Sequence, residues 1–240
     1  MITEEYLGNI ISVLEKIKTT QKDKIQKAAQ IVSETMDKGG IIYMFGCGHS
    51  HLIALDCFYR AGGLANVSAI LDTDLMLHNG AAKSSKMEKM KGIAEPLLER
   101  YCIGEDDVLF IFSTSGKNAV PTEMAQVASN RGIKNIAVVS GDYFNDKTDT
   151  PKLHECADMY IDNCVPHGDA VMEITGCEQK MGSVSTAASS FIIQSVLLEA
   201  AEMSSVKGTR IPIYMSGNIE GGSEYNKFLV KEYLPRIKHL

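Results

Sequence analysis

The stretch IIYMFGCGHSHLIALD, residues 41–56, decides the fold of this chain. Residues 41–45 form an unbroken apolar run, which predicts a β-strand buried on both faces. Two glycines, Gly46 and Gly48, interrupt the run, and a helix is predicted from Ser50 to residue 61. A strand, a glycine-containing loop and a helix in direct succession are typical of the first unit of a doubly wound α/β domain.

Strands and helices alternate along the rest of the chain. The other strand candidates are the apolar runs at residues 67–71, 108–112, 136–139, 159–161 and 211–215. Helices are predicted between them at residues 84–101, 118–131 and 185–204. Most of these runs do not alternate with polar residues, which is typical of parallel strands covered on both faces. The pattern predicts an α/β fold with a doubly wound, mainly parallel sheet and helices on both of its faces.

The segment before the first strand carries helical signals. Apolar residues recur three and four positions apart over residues 3–38, and Gly39 and Gly40 end the pattern. A fresh helix start near Thr19 divides the segment into two helices. We therefore predict an N-terminal helical extension at residues 1–39 and one domain at residues 40–240.

Composition excludes several classes of protein. The chain has 240 residues, 45% of them hydrophobic, and a formal net charge of −6, which argues against binding to nucleic acid. Its densest basic cluster, residues 83–91, contains Glu88 and is interpreted as a solvated helix face. No apolar run is long enough to cross a bilayer, the first residues lack the pattern of a signal peptide, and the six cysteines show no C-x-x-C spacing. We expect a cytoplasmic protein with no membrane association and no structural zinc site.

Two loops that follow predicted strands share one design. Residues 46–50, with Gly48 and Ser50, follow the first strand, and residues 113–118 (STSGKN) follow the strand at 108–112. Glycines let backbone N–H groups approach a ligand, hydroxyl groups add donors, and the helix that follows each loop adds partial positive charge. Both loops are expected at the carboxyl edge of the sheet, where they would bind a phosphate or a carboxylate.

The histidines that flank Ser50 leave two interpretations open. His49 and His51 form an H-x-H pair, which suits a metal site in some hydrolases. Alternatively, one imidazole adds positive charge beside an anion or transfers a proton to or from a ligand, while the other packs in the core. We favour the second interpretation and predict neither a metal nor an organic cofactor.

Two motifs carry a family resemblance. FGCGHS at residues 45–50 and FSTSGKNAVP at residues 112–121 resemble the sugar isomerase (SIS) domain family, whose members bind phosphorylated sugars. The resemblance covers about residues 40–205 and implies a flavodoxin-like five-stranded sheet and a homodimer or higher homo-oligomer. It assigns the sugar phosphate to the following side chains: Ser50, Ser113, Thr114, Ser115 and Asn118.

The chain also departs from members of that family. ITGCEQKMGSVSTAASS, residues 174–190, is similar to a segment of N-acetylmuramic acid 6-phosphate etherases. However, Tyr59 and Arg60 stand where phosphoheptose isomerases carry adjacent glutamates, and Tyr59 stands where the etherases carry a catalytic glutamate. Ala187 replaces a lysine of glucosamine-6-phosphate synthase isomerase domains. The phosphate-binding loops therefore match the family, whereas no member's complete catalytic set does.

Candidate catalytic residues follow from the chemistry of sugar isomerisation, which needs a base between adjacent carbons and an acid or base at the ring oxygen. We predict Glu178 as the base, because it lies in a glycine-flanked segment before the last long helix. His51 and His78, which follow the first two strands, are the candidates for proton transfer at the ring. The other candidates for the same cleft are His49, His167, Lys180 and Ser183.

The sequence features are compatible with more than one function. A sugar-phosphate isomerase is our leading hypothesis, and a small phosphorylated sugar or amino sugar is the expected partner. A non-catalytic phosphosugar sensor is the first alternative, because family acids are missing at Tyr59 and Arg60. A phosphosugar lyase or etherase, and a metal-dependent hydrolase built on the H-x-H pair, are further alternatives.

Overall fold

A five-stranded parallel sheet forms the centre of the molecule. The computed structural model describes residues 1–240. The sheet has the order β2-β1-β3-β4-β5, and every neighbouring pair of strands is parallel. Its strands are β1 Ile42–Gly46, β2 Val67–Ile70, β3 Val108–Phe112, β4 Lys134–Val139 and β5 Met159–Asp162. This strand order is that of flavodoxin-like sheets, so the predicted fold is confirmed.

Helices cover both faces of the sheet. They are α1 Ile2–Thr20, α2 Lys22–Asp37, α3 His51–Cys57, α4 Ala81–Met87, α5 Ala94–Leu98, α6 Ala119–Asn130, α7 Leu153–Cys156, α8 Ser185–Val206 and α9 Gly222–Tyr233. Ile42 and Met44 pack with residues of α2, α3 and α8 on one face, whereas Tyr43 and Phe45 pack with residues of α5, α6 and α7 on the other. Because successive side chains of a strand point to opposite faces, every residue of β1 must be apolar or small, which explains the unbroken apolar run.

The first two helices pack onto the rest of the protein. They meet at Gln21, two residues beyond the predicted break, and the Gln21 Oε1 atom accepts a hydrogen bond of 3.1 Å from the Asp162 backbone N–H. Along α2, Ala28, Ala29 and Val32 are fully buried in the core that this helix shares with α8. The division at residue 39 stays a prediction.

Two predicted elements are wrong. Residues 211–215 form no sheet strand and pair only through a single bridge between Ile213 and Leu64, because Pro212 has no N–H for a strand ladder. The helix predicted at residues 84–101 is two short helices, α4 and α5, separated at Gly92, whose φ of +82° does not fit a helix.

Two further elements lie near the carboxyl end of the chain. A hairpin of two short antiparallel strands, β6 Ala170–Met172 and β7 Met181–Ser183, stands between β5 and α8 and forms a separate sheet. The helix α9 follows residues 215–221. None of the helices combines the length and the apolar character that crossing a membrane requires.

Candidate functional site

A cleft of about 440 Å³ lies at the carboxyl ends of β1 and β3. In a sheet of this strand order the two strands form the topological switch point, where ligands of doubly wound folds bind. The residues that line the cleft are Cys47, Gly48, His49, Ser50, Leu77, Ala81, Ser85, Glu88, Phe112, Ser113, Thr114, Ser115, Asn118, Tyr143, Gly168, Asp169 and Ser185. All six residues that the sequence suggested for phosphate binding are therefore brought together in one place.

The first loop is a single tight turn between β1 and α3. A Cβ atom on Gly46 would lie 2.6 Å from the carbonyl carbon of Ser50, so a side chain at Gly46 would collide with backbone. Gly48 has a φ of +54°, and its N–H donates a 2.8 Å hydrogen bond to the Leu75 carbonyl oxygen. This hydrogen bond fixes the turn, and Ser50 lies at the start of α3, in the lining of the cleft together with Gly48 and His49.

The second loop presents unpaired donors. The backbone N–H groups of Thr114 and Ser115 donate to no acceptor within the chain. The loop is fixed by the Thr114 carbonyl oxygen, which accepts from the Ser140 N–H at 2.9 Å, and by the Ser113 hydroxyl, which accepts from the Gly116 N–H at 3.2 Å. Since buried or half-buried N–H groups rarely stay unpaired, two neighbouring free donors before the N-terminus of α6 indicate a site for an anion.

Glu88 brings a carboxyl group into this cleft. Its side chain is half-buried beside the second loop, and burial raises its pKa, while a hydrogen bond from Asn118 acts in the opposite direction. The interpretation of residues 83–91 as a solvated face was therefore wrong for Glu88. Glu88 is the only acidic residue among the lysines of residues 83–91, and this sequence feature could have indicated its role.

Asp169 is the second carboxyl group in the cleft, and the sequence reasoning also missed it. Its Oδ1 atom accepts from the N–H groups of Val184 at 2.9 Å and Ser185 at 2.8 Å, and its Oδ2 atom accepts from the Ser185 hydroxyl at 2.6 Å. These bonds cap the N-terminus of α8, so the carboxylate is occupied with holding the helix in place. Asp169 has a φ of +67°, a left-handed conformation that few residues other than glycine adopt. No sequence pattern predicted that Asp169 would lie in the cleft.

His51 lies behind the first loop and does not line the cleft. It is 2% exposed, its Nδ1 atom is hydrogen-bonded to the Gly48 carbonyl oxygen, and its Nε2 atom is buried without a partner. Burial lowers the pKa of His51, so the ring is neutral near pH 7, and its proton sits on Nδ1 because a carbonyl oxygen can only accept. His78 is exposed, with its ring centroid 5.4 Å from that of His51, and it does not line the cleft either.

His49, by contrast, lines the cleft. The two histidines of the H-x-H pair thus face different surroundings, one in the cleft and one in the core behind it. No group of three or more His, Cys, Asp or Glu side chains in the chain is arranged to hold a metal ion.

Four other sequence candidates lie outside the cleft. Glu178 is exposed in the hairpin loop between β6 and β7, beside a separate cavity of about 350 Å³ that is lined only by residues of that loop. Lys180 lies in the same loop, 3.6 Å from Glu173, and Ser183 lies in β7, where its carbonyl oxygen accepts from the Tyr6 hydroxyl at 2.6 Å. His167 stacks on Tyr143 with 4.3 Å between ring centroids, so it supports a wall of the cleft from outside.

Comparisons with known proteins agree with this architecture. A family model described as the SIS domain matches residues 5–140. A UPF0309 protein of Geobacillus thermodenitrificans is 39% identical over 238 residues, which cover 98% of this chain and 96% of the relative. The phosphoheptose isomerase of Neisseria gonorrhoeae superposes with a TM-score of 0.55 at 16% identity, covering 82% of this chain and 96% of that one. The Vibrio vulnificus NanR protein complexed with ManNAc-6P has a TM-score of 0.55 at 11% identity, covering 100% of this chain and 71% of that one.

The fold and the cleft define a doubly wound α/β protein whose candidate functional site is a polar cleft at the switch point of the sheet. The family match and the similarity to the Geobacillus relative then place it: the chain belongs to the SIS domain family.

Proposed function

We propose that this chain is a cytoplasmic enzyme that binds a phosphorylated sugar or amino sugar and isomerises it by proton transfer between adjacent carbons. The observation that carries the proposal is the pair of unpaired N–H groups at Thr114 and Ser115, surrounded by the hydroxyl groups of the two loops. A phosphate has three oxygens that accept hydrogen bonds, and such a cradle at a helix N-terminus suits it. The family membership and the ligand named for the NanR structure support the same class of ligand.

Glu88 is the base that we propose for the proton transfer. It is a half-buried carboxyl group in the same cleft as the phosphate loops, and the pKa raised by burial brings it closer to the operating pH, as a general base requires. Asp169 is less suited, because its carboxylate oxygens already accept three hydrogen bonds. The assignment of Glu178 as base stays a prediction, and it would need the hairpin loop to reach the cleft of a neighbouring subunit.

Glu88→Gln separates catalysis from binding. In D₂O, an isomerase incorporates deuterium at the carbon next to the carbonyl group of a bound sugar phosphate, which proton NMR detects. We expect Glu88→Gln to lower the exchange rate at least about 100-fold, the lower end of what one general base contributes, while calorimetry still shows binding. Unchanged exchange in this variant would reject Glu88, and loss of exchange in Glu178→Gln instead would establish the earlier assignment.

Ser115→Ala tests the phosphate site itself. We expect it to weaken the binding of a sugar phosphate about tenfold or more, the cost of one hydrogen bond to a charged group. Ser195→Ala on α8 is the matched control, because the Ser195 hydroxyl donates to the Phe191 carbonyl oxygen at 2.7 Å and lies outside the cleft. Equal affinities for the two variants would show that the Ser115 hydroxyl does not bind the phosphate.

A phosphosugar sensor is the second candidate function. It is favoured by the occupied carboxylate of Asp169 and by the positions of His51 and His78 outside the cleft, which leave His49 as the one histidine in the lining. Binding of sugar phosphates without any deuterium exchange would support the sensor and reject the isomerase.

A homodimer remains part of the proposal. Leu7 and Ile11 lie four residues apart on α1 and are 55% and 50% exposed, an apolar pair that a second subunit would cover. Light scattering on the purified chain gives the mass directly, and a monomer at working concentration would reject the dimer.

A further inference from the structure

A second cavity lies at the opposite end of α3 from the cleft. Its volume is about 630 Å³, larger than that of the cleft and within the range of small-molecule sites. It is bounded by residues 59–61, which follow α3, and by residues of α9 and the segment before it. The side chains and backbone that line it belong to Tyr59, Arg60, Ala61, Tyr214, Met215, Gly217, Ser223, Asn226, Lys227, Val230, Lys231 and Leu234.

The charge of this second cavity is positive. Arg60, Lys227 and Lys231 line it, and no Asp or Glu does. Arg60 is paired with Asp56, and Lys227 with Glu224 at 2.8 Å, but both of these acids lie outside the lining. Lys231 has no acidic partner within 4.0 Å, so its charge is balanced by no side chain of the chain. Because no carboxylate lines the cavity and Lys231 is unpaired, the second cavity favours an anionic ligand.

An aromatic platform forms another part of the wall. Tyr59 is 57% exposed and has a φ of +48°, a left-handed conformation that is costly for a tyrosine. Its ring meets the buried ring of Tyr214 edge to face, with the centroids 5.1 Å apart at 69°. The Tyr214 hydroxyl is buried without a hydrogen-bond partner. The contact with Tyr214 fixes the Tyr59 ring while much of it stays accessible, as a surface for stacking requires.

Hydrogen bonds hold together the part of the wall that is formed by α9 and the segment before it. The Asn226 Oδ1 atom accepts from the Met215 N–H at 2.9 Å, and the Asn226 Nδ2 atom donates to the Met215 carbonyl oxygen at 2.7 Å. The Ser223 hydroxyl donates to the Gly217 carbonyl oxygen at 3.3 Å. These bonds tie the start of α9 to the segment before it, so the cavity is already formed without a ligand.

We infer that this second cavity is a nucleotide site, separate from the phosphosugar cleft. The phosphate groups would lie against Arg60 and Lys231, and the base would stack on Tyr59. Charge alone suits any phosphate, but an accessible aromatic ring held beside the cations favours a ligand that carries its own planar ring. The inference does not depend on the function proposed for the cleft.

The chain offers a direct reporter for this site. It contains no tryptophan, so Tyr59→Trp introduces a single tryptophan on the platform. We expect ATP, added with EDTA to keep it free of metal, to quench this fluorescence in a saturable way and adenosine to bind far more weakly. Tripolyphosphate should bind without quenching. Quenching by a sugar phosphate but not by ATP, or no quenching at all, would overturn the assignment.

Variants separate the second cavity from the cleft. In the Ser115→Ala background, calorimetry should still detect ATP binding, and Lys231→Ala should weaken it about tenfold, the cost of one charge-assisted contact. Lys27→Ala is the matched control, because Lys27 is also an exposed helical lysine without an ion pair and lies outside the cavity. If ATP binding is lost with Ser115→Ala and unaffected by Lys231→Ala, ATP binds only in the cleft and the inference is wrong.

Discussion

Gly46→Ala is the sharpest test of how the first loop is built. A Cβ atom at this position would lie 2.6 Å from both the carbonyl carbon and the carbonyl oxygen of Ser50 and 2.9 Å from the His51 nitrogen. All three contacts are with backbone, so no side chain can rotate away, and the turn that carries Ser50 must move. Overpacking of this kind costs about 1–3 kcal/mol, and we expect about 3 kcal/mol here because three backbone atoms are involved. For a chain of this size that corresponds to a fall in Tm of roughly 6–12 °C.

Gly48→Ala, two residues further on, is the matched control. Its φ is +54°, but no atom lies within 4 Å of the added Cβ, so the cost is conformational strain alone. That strain is about 1 kcal/mol, or roughly 2–4 °C in Tm. Thermal melts followed by circular dichroism compare the two variants. Equal shifts, or a larger shift for Gly48→Ala, would refute the contact geometry given for Gly46.

Two further predictions concern stability. Burial lowers the folded-state pKa of His51 from 6.5, so the unfolded chain takes up the proton first as the pH falls. The free energy of unfolding should therefore not depend on His51 above pH 6.5, and it should fall as the pH drops through 6.5 toward the lowered pKa. Urea denaturation at several pH values should show a shallower loss of stability with falling pH for His51→Gln than for the unsubstituted protein. An unchanged slope in this variant would contradict the role given to His51. Arg236→Ala leaves the fully buried Asp107 carboxylate without the Nη2 contacts of 2.7 and 2.9 Å, and should cost about 2 kcal/mol, less than a fully buried pair because the guanidinium is partly exposed. Urea denaturation of Arg236→Ala within about 0.5 kcal/mol of the unsubstituted protein would contradict that estimate.

The parts of the fold that could be predicted depend on short-range patterns. Each strand of the sheet is covered on both faces, so its apolar run is visible without knowledge of its neighbours. The two loops that line the cleft could be predicted for the same reason, because glycine and hydroxyl residues stand directly after a strand. Residues 211–215 have the same apolar appearance, but Pro212 removes the donor that a ladder needs.

The parts that could not be predicted depend on contacts between distant segments. Glu88 and Asn118 are hydrogen-bonded partners although 30 residues separate them in the chain, and local pattern placed Glu88 on a solvated face. Glu178 precedes the last long helix in sequence, but the pairing of Met172 with Met181 and of Ala170 with Ser183 places it in a hairpin loop that does not line the cleft. His51 is two residues from His49, yet the turn between them places one ring in the cleft and the other in the core.

The helix α3 connects the cleft to the second cavity. It has seven residues, about 10 Å of axis, with Ser50 at one end and Tyr59 and Arg60 just beyond the other. A helix of two turns does not bend at low cost, so a ligand that tilts it at one end displaces the residues at the other. Binding of a sugar phosphate in the cleft would then change the affinity of the second cavity for ATP, and ATP would change the affinity of the cleft for the sugar phosphate by the same factor. Titration of sugar phosphate with and without saturating ATP, and of ATP with and without sugar phosphate, should give equal ratios, and a ratio of one in both would show that α3 stays fixed.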